Sequence, residues 1–240
     1  MNKIKTSIAV MPFKDLSPNR DQEYFCDGLT EVLINALTSL EDINVVGMST
    51  VLAFKGKKFD ISTLGDKLNV ETILYGSVKK EIEGTGILAN LVNVSDGTDI
   101  WRYDLHLKSE IELQEKITFG IVEKLKVELL TEEKAALEKR FTENVEAYNL
   151  YLRGRYFWNK RSKEGLEKAI DYFERAVAMD RNYALAYTGL ADSYNILGFY
   201  NALSPHDSFP KALKAAKKAL MIDDSIAEAH TSYGFALMYY

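Results

Sequence analysis

Apolar residues in the first half of the chain fall into short runs and helical stripes. The run from Thr6 to Phe13 is apolar and β-branched and has a proline near its end, which predicts a buried strand. From about Asp21 the apolar positions recur every three or four residues, which predicts a helix with one buried face. The residues of that face are Phe25, Leu29, Leu33, Leu37 and Leu40. A second strand is expected at 43–46.

Polar residues mark two shorter helices after this strand. Ser49 or Thr50 is expected to cap a helical turn, because a side-chain oxygen there accepts a hydrogen bond from a free backbone N–H group. Asp60 is expected to cap a helix that runs to Leu68 for the same reason. From Glu71 the apolar residues alternate with polar ones, which predicts strands.

Three strands are expected to form an antiparallel meander. They lie at 72–78, 87–94 and 99–107. The segment Glu83–Gly86 turns the chain once. Asp96 and Gly97 mark a tight hairpin turn in which both central residues take positive φ.

A long helix is expected after the meander, because Ser109 and Glu112 fit a capping box. Its apolar stripe is Leu113, Ile117, Ile121, Leu125 and Val127 or Leu129. The order of the elements predicts an α/β or α+β amino-terminal domain with a mixed β-sheet flanked by helices. We assign this domain to residues 1–130 and a charged helical linker to 131–144.

The second half of the chain repeats itself. Tyr148, Tyr187 and His230 each follow an alanine and are 39 and 43 residues apart. The second motif reads Ala169-x3-Phe173-x2-Ala176 and recurs as Ala212-x3-Ala216-x2-Ala219. Such a period predicts stacked helix pairs at 145–240, with the residues at 148, 187 and 230 packed between helices. An ordinary helical bundle is the alternative.

These motifs resemble the tetratricopeptide (TPR) repeat family. Its second-helix pattern, Ala-x3-aromatic-x2-Ala, is met by the copy around Phe173, whereas the next copy has Ala216 at the aromatic position. The family's closing proline is replaced by Arg181 and Asp224, and the period exceeds the usual one of about 34 residues. The resemblance implies an all-α TPR solenoid of about two and a half repeats.

The first half resembles the TolB amino-terminal-like domain, which is related to FlgO and CsgG-type proteins. The matching segments are Ser7–Phe13, Leu16–Pro18, Glu23–Glu31, Phe54–Lys57, Leu74–Val78 and Leu91–Trp101. The resemblance implies a sensory or assembly module without a known catalytic activity. Proteins similar to this chain join such a domain to TPR repeats, often behind a cyclase, protein kinase or winged-helix domain.

Composition and charge narrow the function classes. The 240 residues are 47% hydrophobic and 27% charged, as in soluble globular domains, and the net charge of −5 disfavours nucleic-acid binding by this segment. No apolar run reaches the roughly 18 residues of a membrane helix, so membrane insertion by this segment is not expected. Cys26 is the one cysteine and suits a cytoplasmic protein. A longer parent with an upstream anchor would instead be periplasmic.

Residues that carry reactive groups are few and dispersed. The three histidines lack partners at metal-ligand spacing, and Cys26 lacks a basic neighbour within a turn, so we expect a buried thiol. Asp21, Glu23 and Asp27 suit the start of a helix better than an acid–base pair. We therefore expect no catalytic site, metal or cofactor, and no enzyme.

One loop is a candidate anion site. Lys55, Gly56 and Lys57 bring two basic side chains to a glycine, where backbone N–H groups can also approach a ligand. A solvated run of charge is the alternative interpretation.

The principal binding surface is expected on the first helices of the repeats, whose polar residues would line a groove. If Tyr148 and Tyr187 are core residues, the groove takes Asn149, Arg153, Tyr156, Thr188, Asp192, Asn195 and Thr231. Tyrosine, arginine and asparagine suit peptide recognition, because they combine contact area with hydrogen bonds.

Two main hypotheses follow. The first is a non-catalytic scaffold whose TPR groove binds a protein or peptide while the α/β domain docks or senses. The second is the regulatory portion of a larger signalling protein. A third is that the α/β domain is itself an enzyme or a small-ligand sensor. The aromatic end at Tyr239 and Tyr240 is expected to be covered by further repeats or by another copy in a homo-oligomer.

Overall fold

A computed structural model describes residues 6–81, 84–107, 110–125, 127, 129–139 and 141–240. The chain divides into two compact units, residues 1–139 and 140–240. Within the described residues, no helix is both long enough and apolar enough to span a bilayer.

The first unit contains a mixed sheet with helices, as the alternating and helical patterns predict. Its elements are β1 (Thr6–Val10), β2 (Lys14–Asp15), α1 (Glu23–Thr38), β3 (Ile43–Val45), α2 (Met48–Leu52), α3 (Ile61–Leu68), β4 (Thr72–Glu81), β5 (Gly84–Asn93), β6 (Asp99–Leu107), α4 (Glu110–Lys124) and α5 (Thr131–Glu138). The strand order is β3-β1-β4-β5-β6, and β2 also pairs with β4. β1 is parallel to β3 and β4, whereas β4, β5 and β6 are antiparallel.

The two faces of β4 and β5 differ in burial. Leu74 pairs with Leu91 and Val78 with Ile87, and all four side chains are buried on one face. Helix α4 contacts β5 and β6. On the opposite face Tyr75 pairs with Asn90 and Ser77 with Leu88, and three of these four residues are half-buried. The sheet therefore has one closed face and one partly open face.

The predicted apolar stripe is confirmed, since all five of its residues are buried; four lie in α1, and Leu40 follows the end of the helix. Asp60 caps α3 as predicted, with its side chain accepting a 2.9 Å hydrogen bond from the Thr63 N–H. The predicted cap of α2 is wrong. That helix begins at Met48 after Gly47, so Ser49 and Thr50 lie inside it.

The hairpin between β5 and β6 is confirmed, but its turn differs from the prediction. Gly97 has φ +69°, whereas Asp96 does not take positive φ. The Asp96 carboxylate instead accepts a 3.0 Å hydrogen bond from the Thr98 N–H, in a five-residue loop between the strands. Glu83 and Ser109, which carry two further predicted features, lie outside the described residues.

The second unit consists of helices packed in pairs. They are α6 (Val145–Trp158), α7 (Lys163–Met179), α8 (Ala184–Phe199), α9 (Pro205–Ile222) and α10 (Ala227–Tyr239). Consecutive helices contact each other, and α8 also contacts α6 and α10. Asn144 caps α6 by accepting a 3.0 Å hydrogen bond from the Ala147 N–H. The predicted linker is thus divided, because α5 belongs to the first unit and Asn144 to the second.

The spacing motif of the second unit reflects close helix packing. Phe173 on α7 is fully buried, and its ring lies against Gly154 of α6 and Gly189 of α8. A Cβ atom at either glycine would lie about 2.5 Å from this ring. Tyr151 contacts the same ring, with centroids 5.8 Å apart. A large aromatic residue on one helix therefore requires small residues on its two neighbours.

Candidate functional site

A carboxylate connects the three helices α6, α8 and α10. Asp192 of α8 lies 3.5 Å from the Arg155 guanidinium of α6 and accepts a hydrogen bond from the Ser232 hydroxyl of α10. The Asn195 side-chain N–H donates a 2.9 Å hydrogen bond to the Ser232 carbonyl. We call Arg155, Asp192, Asn195 and Ser232 the Asp192 cluster. It fixes how these helices lie against each other.

The charges in the Asp192 cluster are partly shielded from solvent. The side chains of Arg155 and Asp192 are 15% and 21% exposed. Burial raises the pKa of Asp192, while the Arg155 charge and the Ser232 hydrogen bond act in the opposite direction. The arginine therefore balances a carboxylate that water solvates poorly.

A tryptophan with two arginines adjoins this cluster. The Arg155 guanidinium lies 4.3 Å and the Arg161 guanidinium 3.5 Å from the centre of the Trp158 ring. The Trp158 indole N–H is buried and makes no hydrogen bond to the described residues. Such stacking holds a flat aromatic surface and positive charge together.

The surrounding segment is strongly basic in an acidic protein. Between Glu146 and Glu164 there is no acidic residue. The basic residues in that interval are Arg153, Arg155, Lys160, Arg161 and Lys163. Lys160 also lies 4.4 Å from the centre of the Tyr156 ring. We call residues 153–163 the basic aromatic segment, and its chemistry suits an acidic or polar partner.

The structure separates the seven predicted groove residues into two groups. Asn149, Arg153 and Tyr156 are half-buried on α6, Asp192 belongs to the cluster, and Thr231 is exposed on α10. Thr188 and Asn195 are buried, at 4% and 3% exposure. The prediction that these two line an open groove is corrected, because α8 contacts both α6 and α10 and the Thr188 and Asn195 side chains are covered.

The repeated aromatic positions also differ from one copy to the next. Tyr148 is buried and Tyr187 half-buried, whereas the His230 side chain is 54% exposed. His230 Nε2 lies 2.8 Å from the Asp224 carbonyl oxygen. The prediction of a packed histidine is therefore wrong. The preceding alanines, Ala186 and Ala229, are the fully buried positions.

Sequence reasoning missed Arg155, Trp158 and Ser232. They lie one or two residues along the chain from the predicted groove residues Tyr156 and Thr231, but the spacing of the repeats placed none of them on the groove. The lack of acidic residues from 147 to 163 could have indicated this basic surface. Ser232 gave no such signal, because only the packing of α10 on α8 brings it to Asp192.

The candidate anion loop of the first unit is partly engaged within the protein. The Lys55 ammonium lies 2.6 Å from Asp27 and 2.7 Å from Glu23, both on α1. Gly56 takes φ +74°, and Lys57 is exposed. Lys55 therefore anchors the loop, and only Lys57 of the two predicted lysines extends into solvent.

Other reactive groups are buried or separated. Cys26 is 1% exposed, as predicted, and burial raises the pKa of its thiol. Among the described residues, no three His, Cys, Asp or Glu side chains are arranged to hold a metal ion. Burial also raises the pKa of Asp27, against the effect of its hydrogen bond with Lys55.

Comparison with known proteins found a long relative. "Putative adenylate cyclase 3" from Rhizobium meliloti (strain 1021) is 30% identical over 237 residues. The match covers 97% of this chain and 40% of the relative, so the chain spans two-fifths of that protein's length. No family model matches the chain.

Solved structures resemble parts of the chain weakly. TolB from Acinetobacter baumannii has 13% identity and a TM-score of 0.38, with 50% of this chain and 28% of that chain covered. Lipoprotein GNA1162 from Neisseria meningitidis has 18% identity and a TM-score of 0.38, with 52% and 99% covered. The carboxy-terminal domain of LpoB from Escherichia coli has 15% identity and a TM-score of 0.35, with 42% and 82% covered. Structural similarity at these TM-scores supports no conclusion about function.

Proposed function

We propose that residues 145–240 form a TPR-type solenoid that binds a protein segment along its first helices, and that the chain is a non-catalytic interaction module. The basic aromatic segment on α6 carries this proposal, because aromatic rings and arginines together are the residues that dominate protein interfaces. The Asp192 cluster supports it by holding α6, α8 and α10 in one arrangement. A preformed surface loses less entropy on binding.

Cross-linking from defined positions tests where the partner binds. A photo-reactive amino acid replaces Tyr156 in the full chain, and the control variant carries it at Met221 on α9, which is 80% exposed. In extracts of the cells that make the protein, we expect one cross-linked partner from position 156 and none from position 221. Equal cross-linking from both positions would argue against the first-helix surface.

Two substitutions test the polar contacts. Asn149→Ala combined with Arg153→Ala is expected to weaken capture of that partner roughly tenfold or more, since hot-spot contacts are typically worth at least 1–2 kcal/mol. Exposed Arg175, replaced by alanine on α7, is the control. Unchanged capture by a folded double variant would exclude these residues from the interface.

The second proposal is that the chain is the regulatory portion of a larger signalling protein. It is supported by the relative, whose name is that of an adenylate cyclase and whose length extends well beyond the matched 237 residues. In this proposal the first unit is a TolB-like domain that docks or senses in the cytoplasm. We expect this chain alone to form no cyclic AMP from ATP. A cyclase, kinase or winged-helix segment in the adjoining coding sequence would support the proposal, and cyclic AMP formation by the chain alone would contradict it.

A further inference from the structure

The open face of the sheet in the first unit contains a cleft. It encloses about 190 Å³ between the segment that follows β1, the loop after α2, and strands β4 and β5. Met11, Phe54, Phe59 and Leu88 provide apolar walls. Ligand pockets typically combine such walls with a few converging polar groups, and they usually enclose about 300–1,000 Å³. The size of this cleft suits a small or partly exposed molecule.

Three polar side chains converge on the floor of the cleft. Tyr75 and Ser77 come from β4, and Asn90 comes from β5. Asn90 is only 7% exposed, whereas Tyr75 and Ser77 are half-buried, and none of the three side chains makes a hydrogen bond to the described residues. Their polar atoms therefore face the cleft without a partner in the protein. A ligand in the cleft can take up these hydrogen bonds, which then orient it.

The charge of the cleft has one sign. Of the described residues that line it, the charged ones are Lys14, Lys55 and Lys57, and none is acidic. Lys55 pairs with both Asp27 and Glu23, whose two carboxylates more than balance its charge. Among the described residues, no carboxylate lies within ion-pair distance of Lys14 or Lys57. Two positive charges at the rim of an apolar cleft favour an anion.

The loop that forms one wall is held in place. The two ion pairs of Lys55 attach it to α1, and the left-handed conformation of Gly56 turns the chain so that Lys57 follows at the rim. A wall anchored in this way gives a preformed site rather than one that must be ordered by its ligand.

We propose that this cleft binds a small amphipathic anion, with an apolar body against Phe54 and Phe59 and a carboxylate or phosphate near Lys14 and Lys57. The Tyr75, Ser77 and Asn90 side chains hydrogen-bond to the polar part of the ligand. This site lies wholly in the first unit.

The probe for this site is 8-anilinonaphthalene-1-sulfonate, an aromatic anion whose fluorescence rises in apolar surroundings. We expect saturable binding of one molecule per chain, weakened by added salt. Lys57→Glu is expected to weaken it roughly tenfold, because attraction is replaced by repulsion. The matched control is Lys58→Glu, which makes the same charge change at an exposed residue outside the cleft. Ser77→Phe, checked for an intact thermal transition, is expected to abolish binding by filling the floor.

Competition identifies the ligand class. Hexanoate and hexyl phosphate are expected to displace the probe, and their relative potency distinguishes a carboxylate from a phosphate ligand. Hexanol is expected to displace it at least about tenfold less well. Equal displacement by hexanol would show that the ligand of this cleft need not be an anion. A second cleft in this unit is lined by Trp101, Tyr103 and Lys124 and could bind the probe instead. Binding that is unchanged in both Lys57→Glu and Ser77→Phe, or that is lost in Lys124→Glu, would overturn the proposed site.

Discussion

The Arg155 guanidinium of α6 lies 3.5 Å from the Asp192 carboxylate of α8. Asp192 also accepts a hydrogen bond from Ser232 of α10, so one carboxylate makes contacts with two neighbouring helices. Both charged side chains are mostly shielded from solvent. Removing either partner of such a pair leaves a poorly solvated charge, which costs more than the pair itself contributes.

Arg155→Met is therefore expected to destabilise the second unit by about 1–3 kcal/mol. Arg175→Met is the matched control, because Arg175 pairs with Asp171 at 3.4 Å but both side chains are more than half exposed. It is expected to change stability by about 0.5 kcal/mol or less. Urea unfolding of Trp101→Phe variants, in which Trp158 is the one remaining tryptophan, measures this unit. Equal effects of the two substitutions would show that the Arg155 pair is no stronger than a surface pair.

Close packing around Phe173 gives a second prediction. Gly189→Ala places a methyl group about 2.5 Å from the Phe173 ring, so we expect a loss of about 1–3 kcal/mol. Gly234→Ala in α10 is the control, because nothing lies within 4 Å of the new methyl group. It is expected to stabilise by about 0.5–1 kcal/mol through helix propensity. Phe173→Leu should partly rescue Gly189→Ala, and absence of rescue would contradict this account.

Asp15 gives a prediction about low pH. Its carboxylate accepts hydrogen bonds of 2.8 Å from the Ser17 and Gln22 N–H groups. Partial burial alone would raise the pKa of Asp15, but these hydrogen bonds hold it below its usual range. The ionised carboxylate therefore stabilises the fold above the unfolded pKa of about 3.9, and this contribution is lost as the pH falls through the folded pKa.

Asp15→Asn is accordingly expected to cost about 1–2 kcal/mol at pH 7 and progressively less below pH 4. Thermal unfolding of the wild type and the variant from pH 7 to pH 3 measures this difference. A difference that stays constant over the whole range would show that the charge of Asp15 is unimportant.

The anchor of the cleft loop gives a fourth prediction. Lys55→Met removes the cation that faces Asp27, whose side chain is 9% exposed, and we expect a loss of about 3 kcal/mol at pH 7. Lys57→Met, at the exposed neighbouring lysine, is expected to have little effect.

The pH dependence of Lys55→Met has a definite sign. Burial already raises the pKa of Asp27, and removing Lys55 raises it further. The folded variant then holds this proton more tightly than the unfolded chain does, so its stability falls as the pH rises above about 4. Melting temperatures from pH 5 to pH 8 test this. If the variant lost less stability at pH 8 than at pH 5, ionised Asp27 would not be the group that destabilises it.

Local chemistry explains which elements of the first unit were predictable. The stripe of α1, the Asp60 cap and the alternation in β4 depend on residues close together in the chain, and the structure confirms them. The start of α2 and the Asp96 turn were predicted wrongly. At each position more than one local residue could begin the helix or form the turn. The surrounding backbone determines which residue does so.

The candidate sites required contacts between distant residues. Lys55 was predicted as a ligand-binding lysine, but α1 brings two carboxylates to it. Thr188 and Asn195 were predicted on an open surface, but neighbouring helices cover them. Nothing in the spacing of a single helix shows which of its polar residues another helix will contact.

The sequence by itself determined the two-part organisation, the mixed sheet with its helices, and the pairing of helices after Asn144. These follow from the period of apolar residues, which depends only on the geometry of a helix or strand. Tertiary structure alone decided that Asp192 contacts both Arg155 and Ser232 and that Lys55 anchors the cleft loop. The reason is that these contacts join residues 28–40 positions apart, and only the packing of the helices and of the loop after α2 sets the distance between their side chains.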